Sequence, residues 1–223
     1  GAVLNPLDTT RVSGGSGAGS ATLVADKTVD VSLGTDTGDS MRIPASYCGI
    51  VGFKPTYGRI SRYGVMPYAA SLDHVGIFAN NVKTAATMLE VVSGYDPHDE
   101  TSSHKEVENY AELNSSLENI KIGIISNVVD SISNQEITDW FNSLVSKLEN
   151  SNITVEKFSF NEELFNTLHI VYKIIANAEA FSNHSSLNGV PFGVRQEGNS
   201  LDEVMLNTRS NNLGFQVKYR HLL

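Results

Sequence analysis

Two glycine-rich turns carry serines at positions where the main chain is open to close approach. The first reads Ser13-Gly14-Gly15-Ser16-Gly17-Ala18-Gly19-Ser20, and the second Gly34-Thr35-Asp36-Thr37-Gly38-Asp39-Ser40-Met41-Arg42-Ile43-Pro44-Ala45. Glycine belongs where the backbone takes positive φ or where another group must come close to it, so the pair suggests a site built largely from backbone N–H groups. Between the turns, Ala18 to Asp26 suits a short helix and Val29 to Leu33 alternates like a strand. The second turn therefore follows a strand and precedes a helix start at Ser40-Met41-Arg42. Unpaired N–H groups and the positive end of a helix dipole can hold an anion there. Ser40 has two readings: an N-cap, or a nucleophile whose neighbouring N–H groups form an oxyanion hole. Spacing alone leaves both open. Other glycine-loop chemistries drop out. There is no Gly-Lys-Ser/Thr ending for a phosphate loop, no Gly-x-Gly-x-x-Gly spacing for a dinucleotide, and no Gly-x-Ser-x-Gly elbow around Ser40.

These turns resemble those of the amidase signature family, whose members carry a Gly-Gly-Ser-Ser-Gly-Gly loop and a Gly-Thr/Ser-Asp-x-Gly-Gly-Ser-x-Arg-x-Pro turn. Lys54-Pro55-Thr56-Tyr57-Gly58-Arg59-Ile60-Ser61-Arg62-Tyr63-Gly64, Ser71-Leu72-Asp73, Ala176-Asn177-Ala178-Glu179-Ala180 and Arg209-Ser210 look like the tRNA-dependent amidotransferase branch of that family. The resemblance implies a Ser-cis-Ser-Lys triad. Ser40 would be the nucleophile, and Ser16, in a cis peptide, would pass its proton toward a neutral lysine. Backbone N–H groups of Thr37, Gly38 and Asp39, with that of Ser40, would hold the oxyanion. Asp36 and Arg42 would brace the turn, Arg220 would grip the carboxylate of a donor glutamine, and Tyr172 would line its pocket.

The implied fold is α/β, a mixed sheet covered by helices on both faces, in a single domain over residues 1–223 that is truncated at both ends. The family lysine would lie upstream of Gly1, so the chain reads as an internal fragment, inactive by itself; Lys27 and Lys54 are not substitutes. The implied function is a glutaminase subunit that supplies ammonia for converting Glu-tRNA(Gln) to Gln-tRNA(Gln). Its partners would be subunits B and C, with tRNA held mainly by B. ATP and Mg would sit on the partner, with no cofactor or metal on this chain. A free-standing amidase of the same family and a non-catalytic scaffold are the alternatives. Gly17 and Ala18 stand where the family has Ser-Gly, and Asp39 where it has glycine. If Asp39 points inward, its charge opposes the oxyanion by about a kcal/mol or more, and activity is expected to fall.

Composition agrees. The 223 residues carry a net charge of −9 and are 40% hydrophobic, with mean hydropathy −0.14, as expected of a soluble globular protein. An acidic chain binds nucleic acid poorly, so a partner must carry any tRNA contact. The single cysteine, Cys48, excludes an internal disulfide and fits a reducing cytoplasm; in its apolar run it reads as a packed core residue. No stretch is apolar for long enough to span a membrane, and no signal-peptide pattern is visible.

Along the chain, Gly1 to Val12 reads as turn, and Ile50 to Lys54 and Val75 to Ala79 as strands. Arg59 and Arg62 are expected to fix a loop through salt bridges rather than to meet substrate. Asn81 should cap a helix from Val82 to Ser93 with Val82, Ala85, Ala86, Leu89 and Val92 on one face. Tyr95 to Asn119 reads as a surface excursion with a weak helix over Val107 to Leu113; its His98, Asp99, Glu100 and His104 match no metal-site spacing. Strand Lys121–Ser126, a helix through Ile137, Trp140, Phe141, Leu144, Val145 and Leu148, and strand Ile153–Phe158 predict a parallel crossover, with Trp140 as a core anchor. A helix over Phe165–Phe181 should turn Leu168, Val171, Tyr172, Ile175 and Ala176 inward, and Leu201–Arg209 is a further helix.

Overall fold

In a computed structural model, which describes residues 1–112, 120–151 and 153–222, the elements run as follows: β1 (Leu4–Asn5), β2 (Asp8–Val12), α1 (Ala18–Ala25), β3 (Val31–Asp36), α2 (Arg42–Cys48), β4 (Val51–Phe53), β5 (His74–Ala79), α3 (Val82–Val92), β6 (Lys121–Ile125), α4 (Ser126–Val129), α5 (Gln135–Asn150), β7 (Thr154–Phe158), α6 (Glu162–Asn183), a 3₁₀ turn at His184–Ser186, α7 (Leu201–Asn212) and α8 (Phe215–Leu222). The chain divides into two units, Gly1–Leu113 with Lys173–Leu223, and Asn114–Tyr172.

In the first unit β5 is central to an antiparallel sheet of order β3-β5-β4, with Asp36 opposite His74 and Val31 opposite Ala79. Side chains alternate across a strand, and β5 is buried on both sides. Phe78 packs with Ala21 and Val24 of α1 and with Met41, Ala45 and Cys48. Val75, Ile77 and Ala79 pack with Ile60 and with Ala85 and Leu89 of α3. Helices thus cover both faces, α1 and α2 on one and α3 on the other. Asn81 caps α3, its side chain accepting from Thr84 N–H at 2.9 Å, a bond worth about 1 kcal/mol. Cys48 lies in the core.

Small residues let α2 approach the sheet. A Cβ on Gly34 would lie 2.7 Å from Met41 Sδ, one on Gly76 3.0 Å from Met41 Cγ, and one on Gly52 2.6 Å from the Met41 carbonyl oxygen. Glycines on all three strands therefore form the seat of Met41, which is completely buried and fixes where Ser40 must stand.

In the second unit β6 and β7 pair in parallel, from Lys121 opposite Thr154 to Ile125 opposite Phe158. Helix α5, between them in sequence, makes the crossover connection that a parallel pair requires. The α/β class holds, with antiparallel and parallel pairings in separate sheets among the described residues.

Several sequence expectations are corrected. Gly1 to Val12 is not all turn: β1 and β2 pair antiparallel. Their exposed positions leave no alternation of burial to read. Trp140 is 64% exposed, not a core anchor; it lies about 100° around α5 from Phe141, and the helix has a wider apolar stripe than its strands cover. On α6, Leu168, Val171 and Ile175 are exposed, while Ala176 and Ala180 are buried. Periodicity predicts an apolar face but not whether a neighbour covers it. Residues 107–112 are not helical: Tyr110 Oη accepts from Arg59 Nε at 2.9 Å, and the segment runs as a loop along that arginine. Leu113 lies outside the described residues, as does the rest of the excursion to Asn119.

A histidine pair joins the last helix to the first unit. His184 Nδ1 and His221 Nε2 share a hydrogen bond at 3.1 Å. Phe181 meets the His221 ring edge-on, Tyr68 meets His184, and Arg209 donates to the His184 carbonyl at 2.7 Å. Burial, with His221 and Arg209 beside His184 and Arg209 beside His221, pushes both imidazoles below the ordinary 6.5. The folded pair thus binds protons less readily than the unfolded chain. Its contribution is complete above 6.5 and is lost as pH falls below it. Hydrogen exchange, corrected for intrinsic rates, should show α8 losing protection relative to α3 between about pH 7.5 and 5.5, and His221→Phe should flatten that dependence. A pH-independent ratio in the unsubstituted chain would refute it.

Candidate active site

The two serine turns lie against each other. The Gly15–Ser16 peptide is cis, and Gly17 N–H donates to the Ser40 carbonyl at 3.2 Å. A Cβ on Gly17 would lie 2.6 Å from that carbonyl oxygen and 2.7 Å from Phe78 Cζ. The space a serine would need at position 17 is occupied by the Phe78 ring and the nucleophile turn itself. Ser16 is exposed and Ser40 half-buried. Neither hydroxyl is hydrogen-bonded among the described residues. Ser40 does not cap α2: Met41 occupies the N-cap position, and no side chain caps the helix.

The second turn is anchored at both ends. The buried Asp36 carboxylate, at the end of β3, accepts from Met41 N–H at 3.0 Å. It also pairs with Arg42, whose Nη2 lies 3.1 Å from Oδ1 and whose Nε lies 3.3 Å from Oδ2. Arg42 donates in addition to the Gly38 carbonyl. Asp39 carbonyl oxygen accepts from Arg42 and Ile43 N–H, both at 3.0 Å. The backbone N–H groups of Thr37, Gly38, Asp39 and Ser40 have no hydrogen-bond acceptor among the described residues. Four consecutive donors on a braced turn, with a serine at its end, form an arrangement that can hold an oxyanion.

Asp73 is the residue sequence reasoning missed. It is buried, and its carboxylate accepts from Thr37 Oγ1, from Tyr68 N–H at 2.8 Å and from Ala69 N–H at 3.0 Å. It ties the turn to the loop before β5. The available signal was the Ser71-Leu72-Asp73 run, noted for resemblance without a role. Asp39 is exposed, and its φ is not positive, so the turn does not require glycine there. A charge in solvent acts on a neighbour 4 Å away with only about 1 kcal/mol.

The remaining candidates lie apart. Arg220 is exposed on α8, and no hydrogen bond or ion pair joins it to the serine turns among the described residues. Tyr172 falls in the second unit, half-buried on α6, with His169 stacked at 6.5 Å. Arg59 and Arg62 do fix loops, but through uncharged oxygens rather than salt bridges. Arg59 donates to the Lys105 and Glu106 carbonyls at 2.5 and 2.7 Å. Arg62 donates to the Ala70 carbonyl and to Thr101 Oγ1, and lies over the Tyr57 ring. In the excursion, Asp96 accepts from Ser61 Oγ and His98 N–H, and Asp99 from Arg62 N–H. Among the described residues no cluster of three or more His, Cys, Asp or Glu is placed to hold a metal, and no helix is long and apolar enough to cross a membrane.

The profile of the Amidase family matches residues 1–223. The chain belongs to the amidase family. Among relatives, the A subunit of glutamyl-tRNA(Gln) amidotransferase from Microcystis aeruginosa is 40% identical over 220 residues, covering 98% of this chain and 45% of that protein. The corresponding Helicobacter hepaticus protein is 42% identical over 225 residues, covering 100% of this chain and 49% of that protein. The crystal structure of the same amidotransferase component from Thermotoga maritima superposes with a TM-score of 0.76 at 32% identity, over 98% of this chain and 42% of that one. The chain therefore spans about half the length of the curated relatives it matches. Within this amidase-family chain, the serine turns are joined by Gly17, whose smallness can be tested directly. Gly17→Ala should destabilise the chain by about 1–3 kcal/mol through overpacking. Gly19→Ala, whose Cβ meets nothing within 4 Å, should be neutral or stabilising by up to about 1 kcal/mol. Urea denaturation midpoints decide between these, and equal effects would refute the tight contact at Gly17.

Proposed function

We propose that this chain is the glutaminase part of a glutamyl-tRNA(Gln) amidotransferase. The observation that carries the reading is the row of unengaged N–H groups from Thr37 to Ser40, held between the Asp36 and Asp73 carboxylates. Relatives that bear the amidotransferase name at about 40% identity support it. In this reading Ser40 Oγ attacks the side-chain amide carbon of glutamine while its proton passes to Ser16 Oγ and on to a general base, which the family resemblance places in a lysine upstream of Gly1. The N–H groups of Thr37, Gly38, Asp39 and Ser40 receive the oxyanion. Collapse expels ammonia, and water hydrolyses the resulting ester to glutamate.

Arg220 receives the donor carboxylate, and Tyr172 lines the pocket. The ammonia is delivered to misacylated Glu-tRNA(Gln) on partner subunits B and C in the cytoplasm. ATP and Mg belong to the partner, and the net charge of −9 leaves the tRNA contact to it.

Ammonia release from glutamine by the complete polypeptide with its partner subunits is the test. Ser40→Ala should reduce kcat by about 1,000-fold or more. Arg220→Ala should raise KM for glutamine by roughly 10-fold or more, since hydrogen bonds to charged groups contribute about 1.5–3 kcal/mol. Undiminished release from Ser40→Ala would refute the nucleophile. An unchanged KM in Arg220→Ala would point instead to an amide substrate without a carboxylate.

A further inference from the structure

The loop before β5 is held from two sides. On one side Asp73 bonds Thr37 of the candidate oxyanion turn. On the other, Ser71 N–H donates to Glu179 Oε2 at 2.9 Å and Ser71 Oγ donates to Glu179 Oε1. Asn183 Nδ2, one helical turn beyond Glu179 on α6, donates to the Tyr68 carbonyl at 3.0 Å, and Ala176 and Ala180 of the same helix are buried. Within the loop, Leu72 and Asp73 N–H donate to the Ala69 carbonyl at 2.9 and 2.8 Å. Residues 68–73 therefore form a short bracket whose internal bonds leave little slack between its ends. A displacement of Ser71 is passed two residues along to Asp73 and through its carboxylate to Thr37.

We propose that Glu179 is a positioning residue for the oxyanion turn, acting through Ser71 and Asp73 on the direction of the Thr37–Ser40 N–H groups. This rests on the amidase reading above. The two Ser71 bonds hold the Glu179 carboxyl below its ordinary value, so the carboxylate that accepts them persists through the neutral pH of an assay. Glu179 touches no reacting atom in this arrangement. It affects an interaction that strengthens in the transition state, so its loss falls on kcat rather than on glutamine binding.

The experiment is a double-mutant cycle in the complete polypeptide with its partner subunits, with Ser40→Ala beside it. Glu179→Ala should lower kcat for ammonia release by about 10–100-fold, the scale of small misplacements in a catalytic array, with KM for glutamine changed by less than about threefold. Glu179→Gln keeps an acceptor for Ser71 N–H and should recover most of that loss, which serves as a second variant should the alanine form fold poorly. Glu179 and Thr37 are not in contact, so in the Thr37→Val background Glu179→Ala should cost much less than in the wild type. Additive costs, a kcat within about twofold of wild type, or an effect confined to KM would overturn the proposal while leaving the amidase reading intact if Ser40→Ala is inactive. Full release from Ser40→Ala would overturn both.

Discussion

The candidate site depends on one buried carboxylate. Asp36 ends β3, faces away from water, and must find donors within a few residues or carry a large desolvation cost. It finds them in Met41 N–H and the Arg42 guanidinium. Those bonds bend residues 37–40 into a turn that cannot pair its own N–H groups with the sheet. The constraint that satisfies Asp36 thus leaves four donors pointing outward, and it explains why a serine at this place is not a helix cap. Asp73 repeats the arrangement from the opposite side through Thr37, so two carboxylates direct one short turn.

Packing makes the turn's position definite. Met41 follows Ser40 immediately and fills a seat lined by glycines of β3, β4 and β5. Burying a methionine contributes about 1.5–3 kcal/mol, and close-packed interiors tolerate little displacement. The same logic holds at Gly17, where the Ser40 carbonyl and the Phe78 ring share the space of a missing side chain. Phe78 therefore belongs both to the core beneath α1 and α2 and to the spacing of the two serine turns. Stability and site geometry are two consequences of one strand, β5, with its alternation of large and absent side chains.

Arginines elsewhere in this chain illustrate how type and role separate. Arg42 is a charge partner, whereas Arg59 is buried with carbonyl and phenol oxygens around it. Peptide carbonyls accept the planar fork of a guanidinium as a carboxylate does. Sequence showed both arginines in glycine-bounded loops and could not distinguish the acceptors, because the carbonyls of Lys105 and Glu106 come from more than forty residues away.

The amino-acid sequence by itself determined the local elements of this protein: the helices after each serine turn, Asn81 at the start of α3, the alternating β5 and the parallel β6–β7 crossover. Each depends on periodicity, capping or turn chemistry within about a dozen residues, and those signals are local by nature. The motifs likewise named Ser16, Asp36, Ser40 and Arg42 as candidates. Only the tertiary structure decided which apolar faces are covered, which is why Trp140 and Leu168 stand exposed while Ala176 and Ala180 are buried. It alone brought Asp73 to Thr37 and Glu179 to Ser71, across separations of 36 and 108 residues. A hydrogen bond between distant residues leaves no periodic trace in the chain. It exists because the sheet and its helices carry the partners to within 3 Å of each other.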